Sequence, residues 1–481
     1  FLNKAVPLFS ELEQDSVQLS AEVAAFMSDV GSVLEAQQGS IGKGPVSDAV
    51  RKEVMEAFGT AAERYRQGIY DHGFSASKRS VSLASIVDCL SRARDISAIS
   101  IRSNRRQDGL YHAYNRIAVR EDGVEIKYLC EMLEGQVAVL SSELLEADES
   151  LVLLKTLRTS SLYTARQYSY LLYPNRQLPS FMARNLVPDE FVKSSTLMTK
   201  LVAAGNTDLI EVDGSGQAFF AGKFNNTGSV ATALTSLAED GFAEDVSAER
   251  AAIETLFSDL FDCANFTGRS GGMYAYEGLG SIYWHMVSKL LLAVMETVKQ
   301  AEEAGACAEV LAGLLAAYYD VREGIGFNKT PDVYGAFPTD PYSHTPGFAG
   351  ARQPGMTGQV KEEVLTRLLE LGVEVADARV SFKPSVLRRS EFLGSPATLR
   401  YFDTAGASQA VALEAGELGF TYCQVPVVMT LADSPSITLH TANGATESVA
   451  GSVLNAEQSE ALFKKTGQYV RLDVRVTQVM G

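Results

Sequence analysis

Apolar residues recur at three- and four-residue spacing through segments 5–37, 46–70, 126–148 and 151–172, the period of helices with one buried face. The stripe is plainest after Gly280, where Ile282, Met286, Leu290 and Val294 fall one turn apart and predict a helix up to about Glu303. A second late helix is predicted from Gly358, with Val360, Val364, Leu365, Leu368 and Leu371 on one side. Between them lie stretches rich in Gly, Pro and aromatic residues at 102–116, 204–228, 264–281 and 324–358, which read as loops. Loops that long inside a folded domain are more often functional than not.

Near Val373 the period changes from helical to two. Val470, Leu472, Val474 and Val476 alternate with Arg471, Asp473 and Arg475, and the stretches 398–403, 409–414 and 420–429 are short and bounded by Gly or Pro. The expected fold is therefore mainly α: a helical region over 1–375, then a small C-terminal antiparallel β-sandwich over 376–481. Paired helices whose loops emerge at one end fit a helical barrel, although no repeat of fixed period is present.

Charge narrows the function. Lys plus Arg number 42 against 59 Asp plus Glu, a net charge of −17. A surface that acidic repels phosphate backbones and anionic membrane faces, so neither nucleic acid nor membrane is an expected partner. No apolar run approaches the roughly 20 residues that cross a bilayer. The 5 cysteines (Cys89, Cys130, Cys263, Cys307 and Cys423) are widely scattered without a CxxC pair. That scatter fits free thiols in a reducing, cytoplasmic setting and offers no zinc spacing, so no metal is expected. The chain opens on Phe1 without a basic stretch leading into an apolar core, and reads as a piece of something longer.

Three stretches can carry chemistry. The loop Arg105 to Asn115 packs Asp108, Tyr111, His112, Tyr114 and an amide together. Sugar sites need this mixture: rings cover the apolar sugar face, amides and charges grip hydroxyls, and a carboxylic acid protonates the departing oxygen. An Asp108-Gly109 turn between helices, with Asp108 as a cap, accounts for the same residues more simply. The second stretch runs from Thr267 through Gly271-Gly272, Tyr274, Tyr276, Glu277 and Gly280 to Trp284-His285. Free backbone N–H groups at a glycine-rich helix start, with His285 one turn in, can hold an anion; a core tryptophan beside a satisfied histidine is the competing reading. The third spans Gly324 to Gly358 and contains Lys329, Tyr334, Asp340 and His344. Thr357, where the last helix begins, is an N-cap or, with the free amides, a phosphate contact. There is no GxxxxGK[ST] phosphate loop, no GxSxG elbow and no HExxH helix.

In their order, these motifs resemble the inverting glycoside phosphorylases of the cellobiose phosphorylase type, above all the large β-glucan oligosaccharide phosphorylases, including those acting on β-1,3-glucans. The resemblance runs from about Arg102 to the C-terminus. It implies an (α/α)6 barrel, possessed by that family between an N-terminal β-sandwich with helical linker and a C-terminal β-sandwich, with this chain as its C-terminal part. It implies Asp108, directly before Gly109, as the catalytic acid. Asp213-Gly214-Ser215-Gly216 through Phe219 and Phe220 resembles the family's aromatic, Asp- and Gly-containing stretch. Gly278 to His285 resembles the passage ending in a phosphate-binding histidine, and Thr357-Gly358 the phosphate contact before the last barrel helix. Lys329-Thr330-Pro331-Asp332-Val333-Tyr334 resembles a family segment with the acid displaced.

The implied site therefore has Asp108 as acid, His285, Thr357 and Gly358 around phosphate, and Tyr111, His112, Tyr114, Glu277, Lys329 and Tyr334 around sugar. The implied reaction needs no cofactor beyond inorganic phosphate as co-substrate, because phosphate is itself the nucleophile that an inverting hydrolase must make from water. Asp108 would need a raised pKa to stay protonated near neutral pH. The implied partners are a β-glucan oligosaccharide, a second copy of the chain and an upstream polypeptide that completes the fold. Two other readings remain open: an inverting hydrolase with Glu277 or Asp340 activating water, and a non-catalytic carbohydrate-binding subunit on the same fold.

Overall fold

A computed structural model describes residues 1–41, 46–175, 179–261, 280–325, 329–334, 344–346, 359–477 and 479. The chain divides into two compact units, the first comprising Phe1–Leu144, Val152–Trp284 and Lys329–Gly355, the second Leu145–Leu151, His285–Asn328 and Met356–Gly481.

The first unit opens with helices Leu2–Ser10, Ala21–Ile41, Asp48–His72 and Leu83–Ser103. The expected helical run 5–37 is broken by the polar sequence Glu11 to Asp15, after which Ser16–Ser20 pairs antiparallel with Lys78–Ser82. Serines at the N-cap accept the free amides of the later helices: the Ser47 hydroxyl accepts the Val50 N–H at 3.3 Å and Ser82 that of Ser85 at 3.2 Å. Of the predicted run 126–148, Leu133–Leu140 and the start of Ala147–Thr159 are helical. Past Thr159 the chain turns into the short antiparallel pair Tyr163–Thr164 with Ser169–Tyr170. A hairpin of Arg116–Val119 and Val124–Lys127 docks on helix Asp48–His72, where Arg51 donates to Val124 O at 3.1 Å and Lys52 to Glu121 O at 2.6 Å.

Within this unit, residues 181–261 build a core of their own. Helices Thr196–Ala204, Thr227–Leu237 and Ala243–Phe261 close over a three-stranded sheet of Leu186–Val187, Ala218–Phe220 and Ile210–Val212. Val187, Leu197, Met198, Val230, Leu234, Ile253 and Phe257 are fully buried there. The predicted loop 204–228 thus contains two strands, each only three residues long and too short to register as a period-two run.

The second unit contains helices Trp284–Glu303 (from His285 onward), Ala308–Glu323 and Gln359–Glu370, followed by strands. Met286, Leu290 and Val294 are buried on this first helix, as their spacing predicts, whereas Ile282, also buried, lies ahead of it in the strand Ser281–Tyr283 of the first unit. The C-terminal sheet is expected to be antiparallel; it is mixed. Its order is Glu417–Tyr422, Val425–Leu431, Tyr469–Val476, Ser436–Thr441, Thr446–Ala450, and Val425–Leu431 runs parallel to Tyr469–Val476. The cause is helix Ala456–Phe463, which follows the fifth of these strands and returns the chain so that the last one enters between the two strands flanking residues 432–435. The same helix and the two-stranded antiparallel sheet Val373–Ala376/Arg379–Phe382 supply Leu462, Val380 and Phe382 to the core against one face of the larger sheet. Register slips once, between His440 and Thr441. Val470, read as an inward position, is consequently exposed, and Tyr469 takes the buried place.

Candidate functional site

The helix Leu83–Ser103 stops at Asn104 and the chain doubles back at once. Arg105 bridges Tyr111, the Arg106 N–H donates to Leu110 O at 2.8 Å, and the His112 N–H to Asn104 O at 2.9 Å. Gly109 takes φ +87°, the left-handed conformation that this tight return requires and glycine reaches without strain.

Beside it, the Asp108 carboxylate accepts from the Nε–Nη2 edge of a guanidinium. Arg106 Nε lies 3.1 Å from each oxygen and Nη2 2.8 Å from Oδ2, while the Leu110 N–H donates to Oδ1 at 3.1 Å. These bonds, Arg106 first, hold the Asp108 carboxyl below the usual carboxylate range. The turn reading of Asp108 is therefore present in the geometry, and in this state the carboxyl is an ionised acceptor. Arg106 Nη2 is also 3.3 Å from Glu131 Oε2, and the Ser161 hydroxyl donates to Glu131 Oε1 at 2.8 Å.

The rest of the loop divides by exposure. Tyr111 is core, 3% exposed, with its N–H donating to Gln136 Oε1 and its carbonyl accepting from Gln136 Nε2, both at 2.9 Å. Gly135 lets helix Leu133–Leu140 approach the loop closely, since a Cβ there would stand 2.7 Å from that of Ala113. The His112 ring stacks on Tyr128 with centroids 4.2 Å apart, and burial lowers its pKa. Tyr114 is 62% exposed, and its hydrogen bond to Glu134 pushes the phenol up. Asp108, His112 and Tyr114 are thus brought into one loop with Arg106, Glu131 and Glu134 around it. Glu131 was invisible as a site residue because the whole hairpin Arg116–Lys127 separates it from Arg106 in sequence.

The other predicted residues fall elsewhere. Lys329, also in the first unit, donates to Gln167 O at 2.6 Å and stands 4.8 Å from the Trp284 ring centroid; burial brings its pKa down to about 7. His285 belongs to the second unit, where Nε2 is 3.5 Å from Oε1 of the buried Glu362. Glu277, Thr357 and Gly358 lie outside the described residues; Tyr334 ends the short helix Pro331–Tyr334, and its side chain is likewise outside them. Among the described residues no cluster of His, Cys, Asp or Glu is placed to hold a metal ion, and no helix is long and apolar enough to cross a membrane.

Residues 178–264 match the family model for GH149 phosphorylase insertion domain 2. The match supports a GH149-type glycoside phosphorylase. No curated protein matches the chain. The matched stretch is the one that folds around its own core at Val187 to Phe261, so sequence and packing delimit the same subdomain. Asp213 to Phe220, which resemble the family's aromatic, Asp- and Gly-containing stretch, lie inside the matched residues as part of a hairpin, with Asp213 Oδ1 accepting from Ser215 N–H at 2.9 Å, Ser215 Oγ at 2.7 Å and Gln217 N–H at 2.9 Å. Phe220 is buried edge-on against Phe257, with centroids 5.0 Å apart.

Proposed function

We propose that this chain is part of an inverting glycoside phosphorylase that cleaves β-glucan oligosaccharides with inorganic phosphate to give α-glucose 1-phosphate, β-1,3-linked glucans being its first candidate substrates. The observation that carries this is the coincidence of the phosphorylase insertion-domain match at 178–264 with an independently cored subdomain. The loop around Asp108 supports it: an ionisable carboxyl, an exposed tyrosine held by a glutamate, and a histidine–tyrosine stack are groups that grip a sugar.

In this reading Asp108 protonates the leaving oxygen, His112, Tyr114, Tyr334, Glu277 and Lys329 hold sugar, and Tyr111 supports the loop from beneath. His285, Thr357 and Gly358 hold phosphate, whose negative charge needs a donor-rich pocket. The helical region takes part in an (α/α)6 barrel, and the protein works in the cytoplasm as a homodimer or with an upstream polypeptide. Asp108 acts as an acid only when substrate draws it off Arg106, because the ion pair favours its charged form.

That same ion pair favours a second reading, a non-catalytic carbohydrate-binding subunit. The deciding experiment is α-glucose 1-phosphate release from short β-1,3-glucans with and without phosphate, alongside calorimetric binding. Phosphate-dependent release establishes the phosphorylase. Glucose release independent of phosphate indicates a hydrolase, and binding without turnover the subunit.

A further inference from the structure

Asp108 and Glu131 contact the same nitrogen of Arg106, Nη2, at 2.8 Å and 3.3 Å. The two acids are not equivalent. The Asp108 side chain is 46% exposed and that of Glu131 only 15%, so Asp108 can leave the guanidinium for solvent or a ligand far more readily. Glu131 is further fixed by the Ser161 hydroxyl at 2.8 Å, which anchors it to the segment after helix Ala147–Thr159. A guanidinium has a limited set of N–H donors, and one shared between two carboxylates binds each less tightly than it would bind either alone.

We propose that Glu131 is a positioning residue for Asp108: by holding Arg106 through the shared nitrogen, it limits how tightly Arg106 clamps the Asp108 carboxylate. The charged and titratable groups around this contact include Arg106 and Asp108 on the loop, His112 farther along it, and Cys130 and Glu131 on the segment before helix Leu133–Leu140. Arg106 is the cation that faces both acids in the contacts above. The inference rests on Asp108 serving as the acid: a clamp that is too tight would keep the carboxyl ionised and unable to donate a proton.

The test is a carboxyl-carbon NMR titration of Asp108 in the full chain, assigned with Asp108→Asn, for the wild type, Glu131→Gln and Glu131→Asp. Glu131→Gln is expected to lower the proton affinity of Asp108 at least threefold. Glu131→Asp keeps the charge but withdraws it from Arg106, and is expected to shift the titration in the same direction by a smaller factor. An unchanged or raised Asp108 titration in a folded Glu131→Gln protein overturns the proposal. So does a Glu131→Asp protein that titrates like the wild type, since charge alone would then account for the effect; this variant decides the matter by itself if Glu131→Gln does not fold. In phosphorolysis, the basic limb of the pH profile is expected to move to lower pH in both variants. Undiminished activity of Asp108→Asn would sink the acid assignment while leaving the titration result as it stands.

Discussion

The Lys329 ammonium stands 4.8 Å from the centroid of Trp284, the protein's single tryptophan, and donates to Gln167 O at 2.6 Å. Burial lowers its pKa from 10.5 to about 7, so protonation places or removes a cation beside the one indole near neutral pH. Tryptophan emission is expected to titrate with a midpoint about 7, and Lys329→Met to abolish that titration. The sign for stability follows. Between pH 7 and the ordinary lysine range the native state holds fewer protons than the unfolded chain, so this group's contribution rises as pH rises through that window. Urea midpoints at pH 7 and 9 should differ in that direction in the wild type and less so in Lys329→Met.

Asp108 tests the chemistry. If it supplies the proton, Asp108→Asn is expected to cut turnover by about 10²–10⁴-fold, the usual worth of a general acid, with little change in oligosaccharide affinity. Because the folded pKa lies below the usual carboxylate value, the ion pair contributes stability at neutral pH that is lost as pH falls through the carboxylate range. Its partial exposure keeps that contribution small. Thermal melts of Asp108→Asn and wild type at pH 7 should therefore nearly coincide, separating a catalytic loss from misfolding.

The subdomain cored by residues 187–261 should fail as a unit. Phe257 is fully buried between Phe220, Phe224 and Phe261, with ring centroids 5.0, 6.2 and 4.8 Å away. Phe257→Ala leaves a cavity that these rings cannot close, at a cost of about 3–5 kcal/mol. Hydrogen exchange is expected to accelerate across 187–261 and to leave the sheet of the second unit protected. Exchange that accelerates equally everywhere would mean the subdomain has no separate cooperativity.

What could be read from the sequence was whatever repeats locally. The stripe Met286, Leu290 and Val294 predicts its helix because each residue meets the same buried side, one turn after another, while Ile282, at the same spacing, is in a strand. Helix Leu83–Ser103 carries Leu83, Ile86 and Leu90 at the same spacing, but among Ser and Arg residues that dilute the pattern. The alternation of Leu472, Val474 and Val476 marks a strand. Nothing in it discloses that a helix inserted before it makes one pairing parallel, or that a bulge turns Val470 outward. At the site, Asp108-Gly109 is visible as a turn because turn chemistry is local. Glu131, which meets Arg106 only through tertiary folding, leaves no local mark.

Glu370, in the second unit, is a buried acid held by three side chains. Its side chain is 1% exposed, and it accepts from Arg322 Nε at 2.7 Å, Arg367 Nη1 at 2.6 Å and the Tyr318 hydroxyl at 2.5 Å. Burial beside this carboxylate drives the Tyr318 phenol far up, so it remains a donor at every physiological pH. Arg367 also reaches Glu391 at 2.6 Å, joining helix Gln359–Glu370 to the turn at Arg389–Glu391. Glu370→Gln removes the buried charge shared by two arginines; because both guanidinium groups are partly exposed and also meet Glu391, the cost falls toward the lower end of the about 3–5 kcal/mol of breaking a buried pair from one side. The denaturant midpoint is expected to fall accordingly. Tyr318→Phe, which removes one neutral donor but keeps both ion pairs, is expected to cost only about 1 kcal/mol. A Glu370→Gln protein as stable as Tyr318→Phe would mean that solvent, rather than this carboxylate, satisfies the two arginines.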